Sequence, residues 1–499
     1  MLRKLLPIVS MFPALALAAA TAVVTPGDWS LYRGTSIVSR HTTEVACVDA
    51  AKALNVSRSY TCRTSSGVAV TVTVDPPPPP PPIDPPPVTG ARYASPTGTG
   101  AACTDAAPCS LDTALGAVGT IVLKNGTYPA IGWTGSAETY RILSGSTVQA
   151  QNPGGAVING LWIGRSARKD SNITVRDVRI EGSAQLYNTQ RVTLKNVGVH
   201  GPLGIGTNDH AQGNSDNLIE DVWVWASGQR IIAINYRSDR NVWRRVIVRG
   251  DGCGTAGCAG SGNPNVGITI YDSSDVSFQN VLVLDRVLAS GDSPYADFAC
   301  AQHTTGANLW GRNEWLGVVS LNSPDQALYC EPDNVVPGVV SATLRDSVFW
   351  NGAGVNFSRQ GKYVLADLTI TNRAGDGVRI APELSGTGTS VTNVTVGGTG
   401  RAGINSSVGA SASNITGTWS VGPLYYPGSC TGCGTVAPVW KAPARYGVDG
   451  SRFGETGVNA QQGALLPYPN DSRIRAEMCA NTSRGFCSKA SVSEYLQAR

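Results

Sequence analysis

From about residue 170 onward, apolar and polar residues alternate in short bursts that return every two to three dozen positions. The recurring unit is a strand whose third residue is polar. It reads Val175-Arg-Asp177-Val-Arg-Ile, Leu194-Lys-Asn196-Val-Gly-Val, Ile219-Glu-Asp221-Val-Trp-Val, Trp243-Arg-Arg245-Val-Ile-Val and Phe278-Gln-Asn280-Val-Leu-Val. Further copies are Leu344-Arg-Asp346-Ser-Val-Phe, Leu365-Ala-Asp367-Leu-Thr-Ile and Val391-Thr-Asn393-Val-Thr-Val. With the third residue as the mark, and Asn313 marking a weaker copy, the steps are 19, 25, 24, 35, 33, 33, 21 and 26 residues. In most copies a second strand follows, as in Ile231-Ile-Ala-Ile-Asn, Gly267-Ile-Thr-Ile-Tyr, Gly354-Val-Asn-Phe, Gly377-Val-Arg-Ile and Gly403-Ile-Asn.

Period-two alternation predicts half-buried strands, and the steps leave no room for crossover helices, which excludes a doubly wound sheet. A propeller blade needs about forty residues for its four strands, so the shorter steps exclude that too. The pattern predicts an all-β solenoid, a parallel β-helix with one coil per repeat and about 4.8 Å between coils. Inward Val, Ile and Leu form its core. The marked Asn and Asp residues are expected at corners, bonding to backbone and stacking on their copies. Asn172, Asp216, Asp275 and Asn308, each five residues before a mark, are expected to form a second ladder.

Upstream, residues 1–22 combine basic Arg3 and Lys4, an apolar stretch and Ala20-Thr21-Ala22, the pattern of a secretory signal peptide. No later stretch has membrane length. Residues 23–75 read as a small α+β module: a hairpin, an alanine-rich helix capped by Thr43, then one or two strands. Residues 76–90 form a proline-rich linker opened by seven consecutive prolines, stiff polyproline II that cannot join a core. The β-helix is expected over 91–425 and a C-terminal cap or tail over 426–499.

Twelve cysteines fall into six near neighbours: Cys47/Cys62, Cys103/Cys109, Cys253/Cys258, Cys300/Cys330, Cys430/Cys433 and Cys479/Cys487. In an exported bacterial protein this favours six local disulfides. A four-thiolate zinc site from Cys430, Cys433, Cys479 and Cys487 is disfavoured by the wider second spacing. The formal charge of +4 falls to about +2 without the leader, which argues against a nucleic-acid partner. No Gly-x-Ser-x-Gly elbow, P-loop or dinucleotide fingerprint is present.

Tyr93-Ala-Ser-Pro-Thr-Gly, the short helix after Ser110 and Thr120-Ile-Val-Leu-Lys-Asn-Gly-Thr-Tyr128 look like the N-terminal cap of many β-helix proteins. Together with the repeats, they resemble the pectate-lyase-like right-handed parallel β-helix proteins, which are secreted and mostly act on polysaccharides. Leu466-Pro-Tyr-Pro-Asn-Asp-Ser-Arg-Ile-Arg and Arg484-Gly-Phe-Cys487 resemble the tail of a group of bacterial β-helix proteins. The resemblance runs from about residue 91 to the end. It implies a polysaccharide or cell-surface glycan as partner; the fold hosts lyases, hydrolases, epimerases and binding spikes alike.

The long middle steps point to the chemistry. A coil cannot lengthen its strands without breaking the stack, so surplus residues must leave as loops. Residues 249–266 and 285–307 follow equivalent strands and are expected to emerge at one corner as a groove wall. Arg249, Arg286 and His303 are the candidate bases for a lyase reaction. Asp251, Asp285, Tyr295, Asp297, Trp310 and Glu331 are candidate substrate-binding residues. Elimination needs a base for the proton α to a uronate carboxylate, and Ca²⁺ or an arginine to neutralise that carboxylate. Hydrolysis needs two carboxyl groups at a defined separation. The polygalacturonase set Asn-Thr-Asp, Asp-Asp, Arg-Ile-Lys is absent, as are the Trp-Ile-Asp-His and Arg-x-Pro-x-x-Arg signatures of the main pectate lyases. A uronate-specific polysaccharide lyase is therefore the leading expectation. A non-catalytic adhesive spike and a glycoside hydrolase are the alternatives.

Overall fold

The computed structural model describes residues 29–33, 36–41, 46–48, 58–64, 69–74, 88–133, 137–207, 212–226, 231–250, 264–279, 281–284, 293–302, 311–321, 323, 325–332, 335, 339–359, 361–372, 375–380, 388–398, 401–406, 410–425 and 429–436. The chain divides into two units, Met1–Ile83 and Asp84–Arg499. In the first, Trp29–Arg33 pairs antiparallel with Ser36–His41 and with Arg58–Thr64, which pairs with Ala69–Val74. A disulfide joins Cys47 to Cys62, both fully buried. A unit this small buries too little apolar surface to dispense with such a staple.

The second unit is a parallel β-helix. Strand pairing is parallel throughout its two large sheets, one of eleven strands and one of twenty, and each strand pairs with its counterpart a rung earlier or later. Successive inward residues make one continuous core, for instance Val175, Leu194, Ile219, Trp243, Phe278, Trp315, Leu344, Leu365 and Val391, each fully buried. Burial of such side chains contributes roughly 1.5–3 kcal/mol each. Before the first full rungs, Ser110 caps the helix Leu111–Leu115 by accepting from the Thr113 N–H.

The corner residues owe their identity to backbone sterics. Asp177, Asn196, Asp221, Arg245, Asp346, Asp367, Asn393 and Asn414 all have φ between 50° and 62°, the left-handed region. Asn and Asp tolerate that conformation best among residues with a Cβ. Their side chains bond from rung to rung: Asn196 Nδ2 donates to Asp177 Oδ1 at 2.8 Å and Asn393 Nδ2 to Asp367 Oδ1 at 3.0 Å.

Two readings of the ladders need correction. Asn313 does not mark the weaker copy. It pairs with Ala342, and Gly317, with φ 66°, takes the corner opposite Asp346. Asn313 instead turns inward, where its Oδ1 accepts from the Val276 N–H at 2.9 Å. The same inward role falls to Asn217, which accepts from the Val192 N–H, and to Asn241, which accepts from the Asn217 N–H. The second ladder contains the expected Asn172, Asp216 and Asp275, but Arg191, Arg240 and Arg312 stand between and beyond them, all with φ near 55°. Arg240 Nε meets Asp216 at 2.7 Å and Arg312 Nη2 meets Asp275 at 2.7 Å, so this edge alternates base with acid. Asn308 lies outside the described residues.

The expected loops 249–266 and 285–307 are shorter than expected, a correction: Pro264–Tyr271 and Ser293–Gln302 are strands of the eleven-stranded sheet, so each excursion leaves and returns on paired strands. Val242–Gly250 lies beside Leu282–Leu284, and Pro264–Tyr271 beside Ser293–Gln302. Their ends therefore share one corner. Stacking continues past Tyr425, since Cys430 and Thr435 pair with Ala412 and Gly417.

Disulfides join Cys103 to Cys109, Cys300 to Cys330 and Cys430 to Cys433. Cys253, Cys258, Cys479 and Cys487 lie outside the described residues. No described helix is long and apolar enough to cross a membrane.

Candidate glycan-binding face

Outward positions on the two sheets differ sharply in access. On the twenty-stranded sheet the outward row Trp223, Ile247, Leu282, Val319 and Val348 is buried to 3% exposure or less. A ligand cannot use it. The outward rows of the eleven-stranded sheet are partly open and aromatic.

Register defines those rows. One runs Tyr187, Gly206, Tyr236, Tyr271, Ala301, Glu331. The row two residues earlier runs Trp162, Gln185, Gly204, Ile234, Thr269, Ala299, Tyr329, Asn356 and Arg379. Between them an inward row of Leu186, Ile205, Ile270, Cys300, Cys330 and Phe357 anchors the strands in the core. Strict period-two alternation is what turns the tyrosines outward.

The densest part lies over four rungs from Tyr236 to Glu331, a span of roughly 14 Å at about 4.8 Å per rung. Tyr236 and Tyr271 have ring centroids 5.3 Å apart. Arg237 lies over the Tyr236 ring at 4.8 Å and holds Asp272, whose side chain is fully covered, at 3.4 Å. Tyr329 donates to Glu331 Oε2 at 3.3 Å. Ala299 and Ala301 leave the surface low between Tyr271 and Tyr329.

Electrostatics give these groups a definite protonation. Burial pushes the Tyr271 phenol up, helped by the charge of Asp272. Burial likewise raises Tyr329 more than its hydrogen bond with Ser358 lowers it, with Glu331 adding to the rise. Both phenols are therefore neutral hydrogen-bond donors and stacking platforms at physiological pH, unsuited to act as bases. Glu331 lies partly open on the same face. Arg237 and the exposed Arg359 place positive charge beside the tyrosines.

Of the residues singled out from sequence, Glu331 is the one this face contains. Asp297 is not on it, a correction to its expected role. It is fully buried and accepts from Ser320 Oγ at 2.6 Å, inside the coil. The strand turns a corner there, so position 297 follows inward Gly267, whose absent Cβ would sit 2.6 Å from the Asp297 carbonyl oxygen. Arg249 belongs to the end of the strand Val242–Gly250, opposite Leu284, and Tyr295 to the strand Ser293–Gln302; their side chains are outside the description. Asp251, Asp285, Arg286, His303 and Trp310 lie outside the described residues. Among the described residues no three His, Cys, Asp or Glu converge as a metal site.

Sequence reasoning missed Tyr187, Tyr236, Tyr271, Tyr329 and Arg237 as a group. The signal was present: Leu186-Tyr187, Asn235-Tyr236 and Ile270-Tyr271 each put a tyrosine just after the last inward residue of the second strand.

No protein-family model and no curated protein matches the chain. Solved structures similar to it include the A-module of the Azotobacter vinelandii mannuronan C-5 epimerase AlgE6, at 12% identity and TM-score 0.47 over 66% of this chain and 95% of that one. A pectate lyase, Pel9A, matches at 14% identity and TM-score 0.35 over 73% of this chain and 85% of that one. PfbA, a surface adhesin of Streptococcus pneumoniae, matches at 12% identity and TM-score 0.27 over 65% and 86%. The second unit is a parallel β-helix, which its own strand register shows without these distant likenesses.

Proposed function

We propose that this is an exported protein that binds a uronate-containing polysaccharide along the outer face of the eleven-stranded sheet and cleaves it by elimination. The observation that carries the reading is the outward row Tyr236, Tyr271 and Glu331 with Tyr329 beside it. Aromatic rings present flat apolar faces to pyranose rings, while phenol, carboxylate and guanidinium groups bond to hydroxyls and carboxylates. Paired buried cysteines fit an oxidising compartment, in keeping with the leader-like residues 1–22.

For elimination, Arg286, Arg249 and His303 remain the candidate bases. The uronate carboxylate would be neutralised by Ca²⁺ or by an arginine; Arg237 and Arg359 are described residues of the right charge, so the reading does not depend on a metal. The protonated tyrosines favour the donor side of the reaction, giving a proton to the leaving oxygen.

Purified protein should be offered polygalacturonate, alginate and neutral glucans, with retention and ultraviolet absorbance of unsaturated uronate ends as readouts. Selective retention with new unsaturated ends is the expected result. Retention without shortening removes the lyase and leaves a glycan-binding surface protein. No retention of any uronate polymer overturns the reading.

A further inference from the structure

A separate cavity of about 590 Å³ lies at the start of the same sheet, lined by Trp133, Trp162, Arg165, Ser166, Ala167 and Tyr187. Its size is within the ~300–1,000 Å³ range of small-ligand sites. Two rungs, roughly 10 Å, separate Tyr187 from Tyr236, and the rung between carries Gly204 and Gly206 at the outward positions. The cavity thus takes the Tyr187 end of the outward row and is set apart from the Tyr236–Glu331 stretch by one rung without aromatic side chains.

The walls are built, not incidental. Gly132 has φ 98°, and a Cβ there would meet the Trp162 carbonyl oxygen at 1.7 Å. Gly164 has φ 79°, and its Cβ would meet the Tyr187 carbonyl oxygen at 2.0 Å. Only glycine permits these approaches, which draw the rungs bearing the three rings together. Trp162 and Tyr187 have ring centroids 5.9 Å apart, inclined by 38°. The opposite wall is a tight hairpin in which Arg165 and Arg168 exchange backbone hydrogen bonds. Asn188 Nδ2 props it at the Arg165 carbonyl, 3.1 Å, and Gln212 Nε2 at the Ser166 carbonyl, 3.3 Å.

Charge at the rim is unbalanced. Arg141 and Arg168 both hold Asp170, at 2.8 and 3.0 Å, and Arg168 also holds Glu138. Lys169 donates to the Gly213 carbonyl at 3.0 Å. Arg165 is exposed and has no ion pair or side-chain hydrogen bond among the described residues. Two acids thus stand among four bases, and the Arg165 guanidinium, whose charge helps hold Glu138 acidic without a direct contact, lines the aromatic cavity.

We infer that this cavity is a monosaccharide site for the end unit of an anionic glycan: a hexuronate ring lies against Trp162 and Tyr187 with its carboxylate on Arg165. This deepens the polysaccharide reading, on which it rests for the choice of sugar. A chain end held here leaves the rest of the polymer to run up the sheet toward Tyr236 and Glu331.

Calorimetric titration of the full chain with D-galacturonate, D-glucuronate and D-mannuronate tests it, with D-galactose as the neutral control. At least one hexuronate should bind saturably and at least tenfold more tightly than galactose. Arg165→Gln, an exposed substitution that threatens no core contact, should lower hexuronate affinity about tenfold and leave galactose unchanged. Trp162→Ala should abolish binding of both. Equal affinity for hexuronate and galactose, unchanged affinity in Arg165→Gln, or no saturable binding overturns the inference. Monomers report on this cavity and polymer retention on the tyrosine face, so either can fail while the other stands.

Discussion

Tyr236 and Tyr271 stand on consecutive rungs of one sheet face with ring centroids 5.3 Å apart and planes inclined by 50°. Register forces the neighbourhood, because each tyrosine follows an inward residue whose partner lies directly above or below it. Such a step presents two aromatic rings at the spacing of the solenoid. Tyr271→Ala is expected to weaken binding of the retained uronate polymer about tenfold, close to 1.4 kcal/mol. Tyr271→Phe, which keeps the ring, should lose less. Affinity electrophoresis in polymer-containing gels reads both; equal affinity of the alanine variant and the wild type would remove this tyrosine from the binding surface.

The location of Asp297 separates a ligand from a core residue. Its carboxyl is enclosed and bonded to Ser320 across the coil. Asp297→Ala should leave polymer affinity within about twofold while destabilising the β-helix by about 1–3 kcal/mol, since Ser320 loses its acceptor in a dry interior. Urea unfolding and polymer binding on the same sample distinguish the outcomes. A selective fall in affinity with unchanged stability would return Asp297 to the binding surface.

Architecture was legible because it repeats: in seven of the eight strands with a polar third residue that residue is described and meets one steric demand, an L residue in the left-handed region, and composition records that demand as Asn or Asp at all but Arg245. Where arginine meets it, at Arg191, Arg240 and Arg312, the signal was lost, although the backbone is the same. Gly317 escaped notice for the opposite reason, since a lone glycine looks like any other turn. The proposed binding face was less legible. Its tyrosines are separated by 35 residues between Tyr236 and Tyr271 and by 58 between Tyr271 and Tyr329, so only register brings them together. Conspicuous charge in the long excursions drew attention away from the quieter outward positions of the strands.

Corner strain can be isolated at Asn393. Its φ is 56°; it donates to Asp367 and accepts from Asn414 Nδ2 at 2.9 Å. Asn393→Gly and Asn393→Val both remove these bonds, but only glycine adopts the left-handed backbone freely. The valine variant should therefore be less stable than the glycine variant by about 1–2 kcal/mol. Chemical denaturation of the pair measures the difference. Equal midpoints would mean that hydrogen bonding, and not backbone conformation, selects the residue at this corner.

Acid should loosen the same edge of the solenoid through Glu220. Its side chain is 7% exposed and meets Lys195 at 2.9 Å and Arg245 at 2.8 Å, with Arg244 as a third cation. Burial pushes its carboxyl up, but the hydrogen bonds of Arg244 and Lys195 and the surrounding positive charge outweigh that and bring it down to about 2, from the usual 4.5. Asp216 is lowered to about 2 chiefly by its hydrogen bond from Arg240. A carboxyl more acidic in the folded chain than in the unfolded one stabilises the fold above the unfolded value and loses that contribution as protons bind. Stability should thus be steady near neutrality and fall between about pH 4.5 and pH 2. Glu220→Gln should cost about 2–3 kcal/mol at neutral pH, the scale of losing charged hydrogen bonds in a covered site, and should flatten the acid-dependent decline. Guanidinium unfolding of both proteins at neutral pH and near pH 3 decides it: a variant whose stability drops with acid as steeply as the wild type would show that Glu220 is not the group being titrated.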